Sequence, residues 1–214
     1  MPELKFYYAP GSCSIITHIL LHETSLPFEA IQVPRKDRHS GWPSEYARVN
    51  PKLQVPALSI DSFTITENIA VSTAISNLAP EKHLMGKNPN DNLRVLEWCS
   101  WLAVNLHTGG FGHVFRPYRW SDEEASHEGI KMKALERVEG IIGNVEERLT
   151  GGVYAVGGDF TAVDAFLFAF YRWGVEVKFE MKEKYPRYTA LVDNLVKREG
   201  ANAAIKAEGL EGTW

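Results

Sequence analysis

The stretch FTAVDAFLFAFYRW, residues 160 to 173, constrains the fold of this chain more than any other segment. Thr161 stands three residues before Asp164, the spacing of a capping box, in which hydroxyl and carboxylate satisfy the backbone N–H groups at a helix start. The helix that follows is apolar almost all round, so it must be buried on every side, inside an all-helical unit. A second helical pattern agrees: Leu135, Val138, Ile142, Val145 and Leu149 step by three and four residues and put one apolar stripe on one face. Strand alternation does not recur beyond residue 91.

The N-terminal part alternates strand and helix. LKFYY, residues 4 to 8, is an aromatic-rich strand stopped by Pro10-Gly11. From Ser12 onward Ile15, Ile16, Ile19 and Leu20 follow helical spacing, with Ser12 or Ser14 available as caps. FEAIQV at 28 to 33 is a second strand, and the intervening helix predicts parallel pairing with the first. After the basic loop PRKDRHSGWP come VPALSI at 55 to 60 and FTIT at 63 to 66, separated only by Asp61 and Ser62, as in an antiparallel hairpin. ENIAVSTAISNLA at 67 to 79 closes the region as a helix. The polar, Pro- and Gly-broken segment 80 to 91 predicts a linker, giving one domain over 1–80 and another over 91–214.

Composition narrows the function classes. Hydrophobic residues make up 44% of the 214, enough for a sizeable core, and the formal net charge of -4 gives no general attraction to nucleic acid or acidic membranes. Cys13 and Cys99 are too few for a disulfide framework, which points to a reducing compartment. The N-terminus has no secretion-signal pattern, and no apolar run approaches the ~20 residues of a membrane span. Neither cysteine sits in a cluster with ligand spacing, and no phosphate-binding Gly motif occurs. The expectation is a cytoplasmic protein with no metal, nucleotide, nucleic acid or membrane partner.

Four segments, in order, resemble the glutathione S-transferase family. YYAPGSCS at 7 to 14 is similar to the opening of the bacterial beta-class enzymes, and NPKLQVPAL at 50 to 58 to the family's Val-Pro segment. TEN at 66 to 68 falls where the family has an acidic residue opening a helix, and GGDFTAVDAFLF at 157 to 168 resembles its capping-box helix. The resemblance implies an α/β thioredoxin-like N-terminal domain followed by an all-α C-terminal domain, glutathione as co-substrate, and a homodimer.

Site residues follow from the same resemblance. The Val55-Pro56 bond is expected to be cis, turning the Val55 backbone toward the cysteinyl part of glutathione. Glu67 and Asn68 open a helix whose N-terminus favours an anion such as the γ-glutamyl carboxylate, while Glu67 accepts from the ammonium group. Arg35, Lys36 and Arg38 offer cations for the glycyl carboxylate, and alignment favours Arg38. Cys13 falls on the beta-class cysteine at a helix start, where unpaired N–H groups and the helix dipole lower a thiol's pKa. Ser12 and, third, Tyr8 are the other candidates to touch the glutathione sulfur. NLHTGGF at 105 to 111 resembles the beta-class segment whose histidine reaches toward that sulfur, which marks His107. Phe111, Phe115, Tyr118 and Trp173 are candidates to line a pocket for an apolar electrophile.

The function implied is glutathione transfer to an electrophilic small molecule. GSCS also resembles the SSCS turn of zeta-class relatives, which act as glutathione-dependent isomerases by reversible thiol addition to a conjugated double bond. A third reading is a binding domain that keeps the fold without catalysis.

Overall fold

In the computed structural model, which describes residues 1–34 and 41–214, the aromatic strand β1 (Leu4–Tyr8) leads through a tight turn into α1 (Ile15–Thr24) and returns as β2 (Glu29–Gln32). The hairpin β3 (Ala57–Ile60) and β4 (Phe63–Thr66) follows, and then α2 (Asn68–Leu78). The sheet order is β2-β1-β3-β4, with β1 and β2 parallel as expected and the other pairs antiparallel. The ladder begins at Ala57 and not at Val55, since Pro56 has no N–H to give it. At the hairpin's tip Asp61 takes φ 52°, a left-handed conformation that short-side-chain Asp tolerates.

The rest is helical. α3 (Pro89–Trp101), a π-helical stretch (Leu102–Phe111) and α4 (Gly112–Phe115) form one continuous rod, followed by α5 (His127–Arg148) and α6 (Ala162–Glu176). Short α7 (Met181–Lys184), α8 (Pro186–Leu195) and α9 (Glu199–Ala207) complete it. Segment 80–91 holds the single turn Pro80–Lys82 and then Asn88, whose side chain accepts from the N–H groups of Asn90 and Asp91 to cap α3.

The capping box of α6 forms as the sequence requires: Thr161 N–H donates to Asp164 Oδ2 at 2.8 Å, and Ala155 N–H to Oδ1 at 2.9 Å. Behind it Phe166, Phe168, Phe170 and Tyr171 are fully buried, each stabilising the core by about 1.5–3 kcal/mol. The apolar stripe of α5 is present too, with Val138, Ile142 and Val145 buried and Leu135 at its margin.

Sheet and helices share one continuous core, because α1 packs against α6 and α9. Arg198 forks onto Glu23 at 3.0 and 2.6 Å, tying the end of α1 to the start of α9. The cleft between the N-terminal turn and the long rod is therefore held rigidly from behind. Among the described residues no helix is long and apolar enough to cross a membrane.

Candidate active site

The turn between β1 and α1 is fastened by its neighbours. Gly11 adopts φ +71°, a conformation that side-chain-bearing residues avoid. Its N–H donates to Glu208 Oε2 at 3.0 Å, and its carbonyl accepts from Trp173 Nε1 at 3.0 Å and from the Arg172 guanidinium. Glu208 is itself buried and held by His18 Nδ1 at 2.9 Å. The two serine hydroxyls also brace the turn: Ser12 Oγ lies 2.8 Å from Ser14 Oγ, which donates to Ala9 O and accepts from Ala9 N–H. Neither caps α1 in the expected way, because each hydroxyl is engaged inside the turn.

Cys13 is different. Its thiol points out of the turn and donates to Val55 O at 3.5 Å, and it lines two adjoining cavities. Burial pushes the thiol up to about 11, although a hydrogen bond from Asn68 and the charge of Arg116 pull the other way. The helix start therefore does not lower this pKa as the sequence suggested; desolvation outweighs the dipole, and Cys13 carries its proton at neutral pH.

The smaller cavity, about 150 Å³, is lined by Cys13, Val55, Pro56, Glu67, Asn68 and His107. The Val55-Pro56 bond is cis. The preceding carbonyl of Gln54 is pinned by Tyr46 Oη at 2.9 Å and Asn50 Nδ2 at 2.7 Å, so this loop is held in place from below. Glu67 sits at φ +74°, a sparsely populated conformation for a residue with a side chain, and pairs with Lys52. Asn68 Oδ1 accepts from Thr17 Oγ1 at 3.4 Å, linking the starts of α1 and α2.

The larger cavity, about 520 Å³, is walled by Phe111, Phe115, Trp173, Arg116 and again Cys13 and His107. Its helical wall is the π-helical stretch, wound wide enough that Gly112 N–H reaches back to His107 O. Gly110 allows that path, since a Cβ there would lie 2.8 Å from Val138 Cγ2 on α5. His107 stacks on Trp173 with ring centroids 5.4 Å apart, and burial together with the charge of Arg116 holds it down to about 4. At neutral pH its imidazole is uncharged.

Nine of the thirteen residues singled out in the sequence thus converge on these two cavities, and Ser12 lines the larger one with its hydroxyl turned inward. Tyr8 needs a correction. Along β1 the buried positions are Leu4, Phe6 and Tyr8, so alternation carries Tyr8 to the core face, where it stacks on Phe6 and meets His18 at a tilt, outside the residues that line the cavities. Tyr118 is corrected likewise: it lies on the single turn Pro117–Arg119, past the end of the rod, and is not among the lining residues. Arg38, with Arg35 and Lys36, lies outside the described residues. Sequence reasoning missed Arg116, Arg172 and Glu208. Pro117 was a usable signal for Arg116, marking it as the residue that caps the rod's end. Nothing local marks Glu208, whose partner Gly11 is 197 positions away.

Comparison with known proteins agrees with this geometry. A model of the glutathione S-transferase N-terminal domain matches residues 11–76, and one of the C-terminal domain matches residues 111–199. The chain is 31% identical over 210 residues to glutathione S-transferase GstA of Escherichia coli O157:H7, spanning 97% of this chain and 100% of the relative. A glutathione transferase homolog from Sulfitobacter, solved with bound glutathione, superposes with a TM-score of 0.88 at 26% identity, covering 98% of this chain and 100% of that one. Maleylacetoacetate isomerase of Mus musculus is 29% identical over 165 residues, 77% of this chain and 74% of the relative.

Proposed function

The chain belongs to the glutathione S-transferase family, and we propose that it holds glutathione in the smaller cavity and adds its thiolate to an electrophilic small molecule with an apolar body in the larger one. The observation that carries this reading is the position of Cys13 and His107, which line both cavities at once. A sulfur held between them faces the second substrate directly.

The γ-glutamyl and cysteinyl parts of glutathione have complements there. The first N–H groups and positive end of α2 suit the γ-glutamyl carboxylate, and Glu67 accepts from the ammonium group. Val55 offers its backbone to the cysteinyl amide, and Arg38 is the cation proposed for the glycyl carboxylate. The protonated Cys13 thiol, now donated to Val55 O, turns to the glutathione sulfur and stabilises its anion. An ordinary thiol titrates near ~8.5, so a fall of about two units leaves the sulfur mostly ionised at neutral pH. Its proton goes to solvent, because an imidazole held down to about 4 is too weak a base to keep it. His107 acts by hydrogen bonding and by stacking, not by proton transfer. The thiolate then attacks the electrophilic carbon, the C–S bond forms, and the leaving group departs with its electron pair.

Calorimetric titration with glutathione, paired with the ultraviolet difference spectrum of the thiolate, tests the reading. Wild-type protein is expected to bind and to develop the thiolate band, and Cys13→Ala to weaken that band. Absence of binding overturns it. The likeness to a maleylacetoacetate isomerase favours a second reading, reversible thiol addition to a conjugated double bond, which yields product without loss of glutathione. The reading includes a homodimer: exposed Leu93 and Val104 on the long rod and Phe63 on the edge strand β4 supply apolar area for it, and sedimentation measures it.

A further inference from the structure

We propose that Leu210 is a specificity-determining residue of the larger cavity, turning away electrophiles that carry bulk beside the reacting carbon; this rests on the transferase reading and narrows its second substrate. Leu210 lines the larger cavity and not the smaller one. Among the described residues it is the one branched aliphatic side chain that the helical part gives to this cavity, beside the rings of Phe111, Phe115 and Trp173. It also packs over the turn that carries Cys13. A Cβ added to Gly11, two residues before the thiol, would stand 3.6 Å from Leu210 Cδ2. Its methyl groups therefore face an electrophile beside the turn on which the glutathione sulfur is held.

A side chain sorts substrates by size only where it cannot step aside, and Leu210 is fastened from both directions along the chain. Just before it, at the end of α9, Glu208 is clasped by Gly11 N–H at 3.0 Å and by His18 Nδ1 at 2.9 Å. Gly209 then takes φ +65°, a left-handed turn open to glycine, and Leu210 N–H reaches back to Ile205 O at 3.0 Å. Just after it, Thr213 donates to Leu210 O from both its N–H, at 3.2 Å, and its hydroxyl, at 2.7 Å. Trp214 closes the segment against Phe168 of α6, with ring centroids 5.7 Å apart. Leu210 itself is only 7% exposed. The ring wall is braced too: Phe115 stacks on Phe111 at 5.7 Å and meets Trp173 edge-on at 5.6 Å. Between walls packed in this way an extra methyl group forces side chains off their rotamers or is refused. The isobutyl group has no polar atom, so it discriminates by volume and not by charge.

The test compares 1-chloro-2,4-dinitrobenzene with 2-chloro-3,5-dinitrotoluene, which has the same activating groups and one added methyl beside the chlorine-bearing carbon. In both, the glutathione thiolate bonds to that carbon, the electron pair moves into the nitro-activated ring, and chloride leaves with the C–Cl pair. The thiol's proton goes to buffer. After division by the uncatalysed rate with glutathione, wild-type kcat/KM is expected to favour the unmethylated compound by about tenfold, the low end of what one carbon decides in an apolar pocket. Leu210→Ala is expected to bring that ratio within about twofold of unity, and Leu210→Val, one methylene smaller than the native residue, to lower it about threefold. The Kd for glutathione should stay within about twofold in both. Calorimetry on wild-type protein saturated with glutathione supplies an arm that needs neither turnover nor a folded variant. It uses 2,4-dinitrotoluene and 3,5-dinitro-o-xylene, the unreactive counterparts in which methyl replaces chlorine, and the first is expected to bind about fivefold more tightly.

Equal normalised specificity in wild type, equal Kd values for the unreactive pair, or a ratio that survives both substitutions overturns the inference while the transferase reading stands. A variant that keeps the ratio and instead weakens glutathione also overturns it, by moving Leu210 to the other substrate. Failure of wild-type protein to bind glutathione removes the transferase reading itself, and titration with glutathione alone distinguishes that case.

Discussion

The two cavities share Cys13 and His107 but are built from different materials. The smaller one sets the Val55 peptide before the cis bond, the strained Glu67 and the start of α2 against side chains of the rod and α6 such as Thr108, Phe166 and Phe170. The larger one is made of side chains, on a rod wound wide and on a helix that comes sixty residues later in sequence. Backbone groups held from below by Tyr46 and Asn50 offer one geometry and suit one invariant ligand. Side chains on helices can be exchanged without moving the frame, so the larger cavity is the one that substitution can reshape.

Truncation on each wall separates the two sets of contacts. The largest effect is expected from Glu67→Ala, which removes the acceptor for an ammonium group. The Kd for glutathione should rise by about 10- to 100-fold, the range of one hydrogen bond to a charged group. Calorimetry measures it, and an unchanged Kd would mean that the backbone alone holds that end of the ligand. On the other wall, Phe115→Ala removes one half-buried ring and should raise the KM for an aromatic electrophile by about fivefold while the Kd for glutathione stays within about twofold. Equal effects on both ligands would erase the distinction between the cavities.

His107 belongs to both walls, and its pH behaviour tests that shared position. Its folded pKa, about 4, lies below the ordinary value of 6.5, so between these pH values the unfolded chain takes up a proton that the folded chain refuses. Its contribution to stability is therefore complete above pH 6.5 and is lost as pH falls through 4. His107→Phe, which cannot take up that proton, is expected to lose less Tm than wild type on acidification from neutral pH to about 4.5. In the wild-type profile of kcat/KM, no limb belonging to His107 is expected between about pH 5.5 and pH 8. A limb there that disappears in His107→Phe would mean that the imidazole is charged in that range and open to water.

How much of this was legible in sequence follows the same division. The succession of strands and helices, the hairpin and the capping box of α6 are written in local patterns, and so are Val55-Pro56 and Glu67-Asn68, because each depends on residues near one another in the chain. Tyr8 was misjudged because Tyr7 and Tyr8 differ only in parity, and burial of Leu4 and Phe6 decides which side faces the core. The place of Cys13 at a helix start was legible, but its acidity was not. The sequence reveals the helix start and its dipole, whereas the desolvation that dominates is a matter of burial, which adjacent residues do not show. Glu208 and Arg172 clasp one glycine from the opposite end of the sequence, and no periodicity announces such a contact.

The smallest expected effect belongs to Ser12, and it decides between two residues that the sequence left side by side. Both precede α1, and either type of side chain can donate to a sulfur. In the structure the Ser12 hydroxyl is engaged with Ser14 Oγ and with Ser14 N–H at 3.2 Å, so it holds the turn in shape, whereas the Cys13 thiol faces the cavities. Ser12→Ala should therefore lower stability by about 0.5–1.5 kcal/mol, the ordinary net worth of a hydrogen bond, and change the Kd for glutathione by less than about twofold. Its thiolate band should persist where that of Cys13→Ala weakens. If the bands respond in the opposite order, the hydroxyl must leave Ser14 when glutathione binds, and the donor at the sulfur is serine.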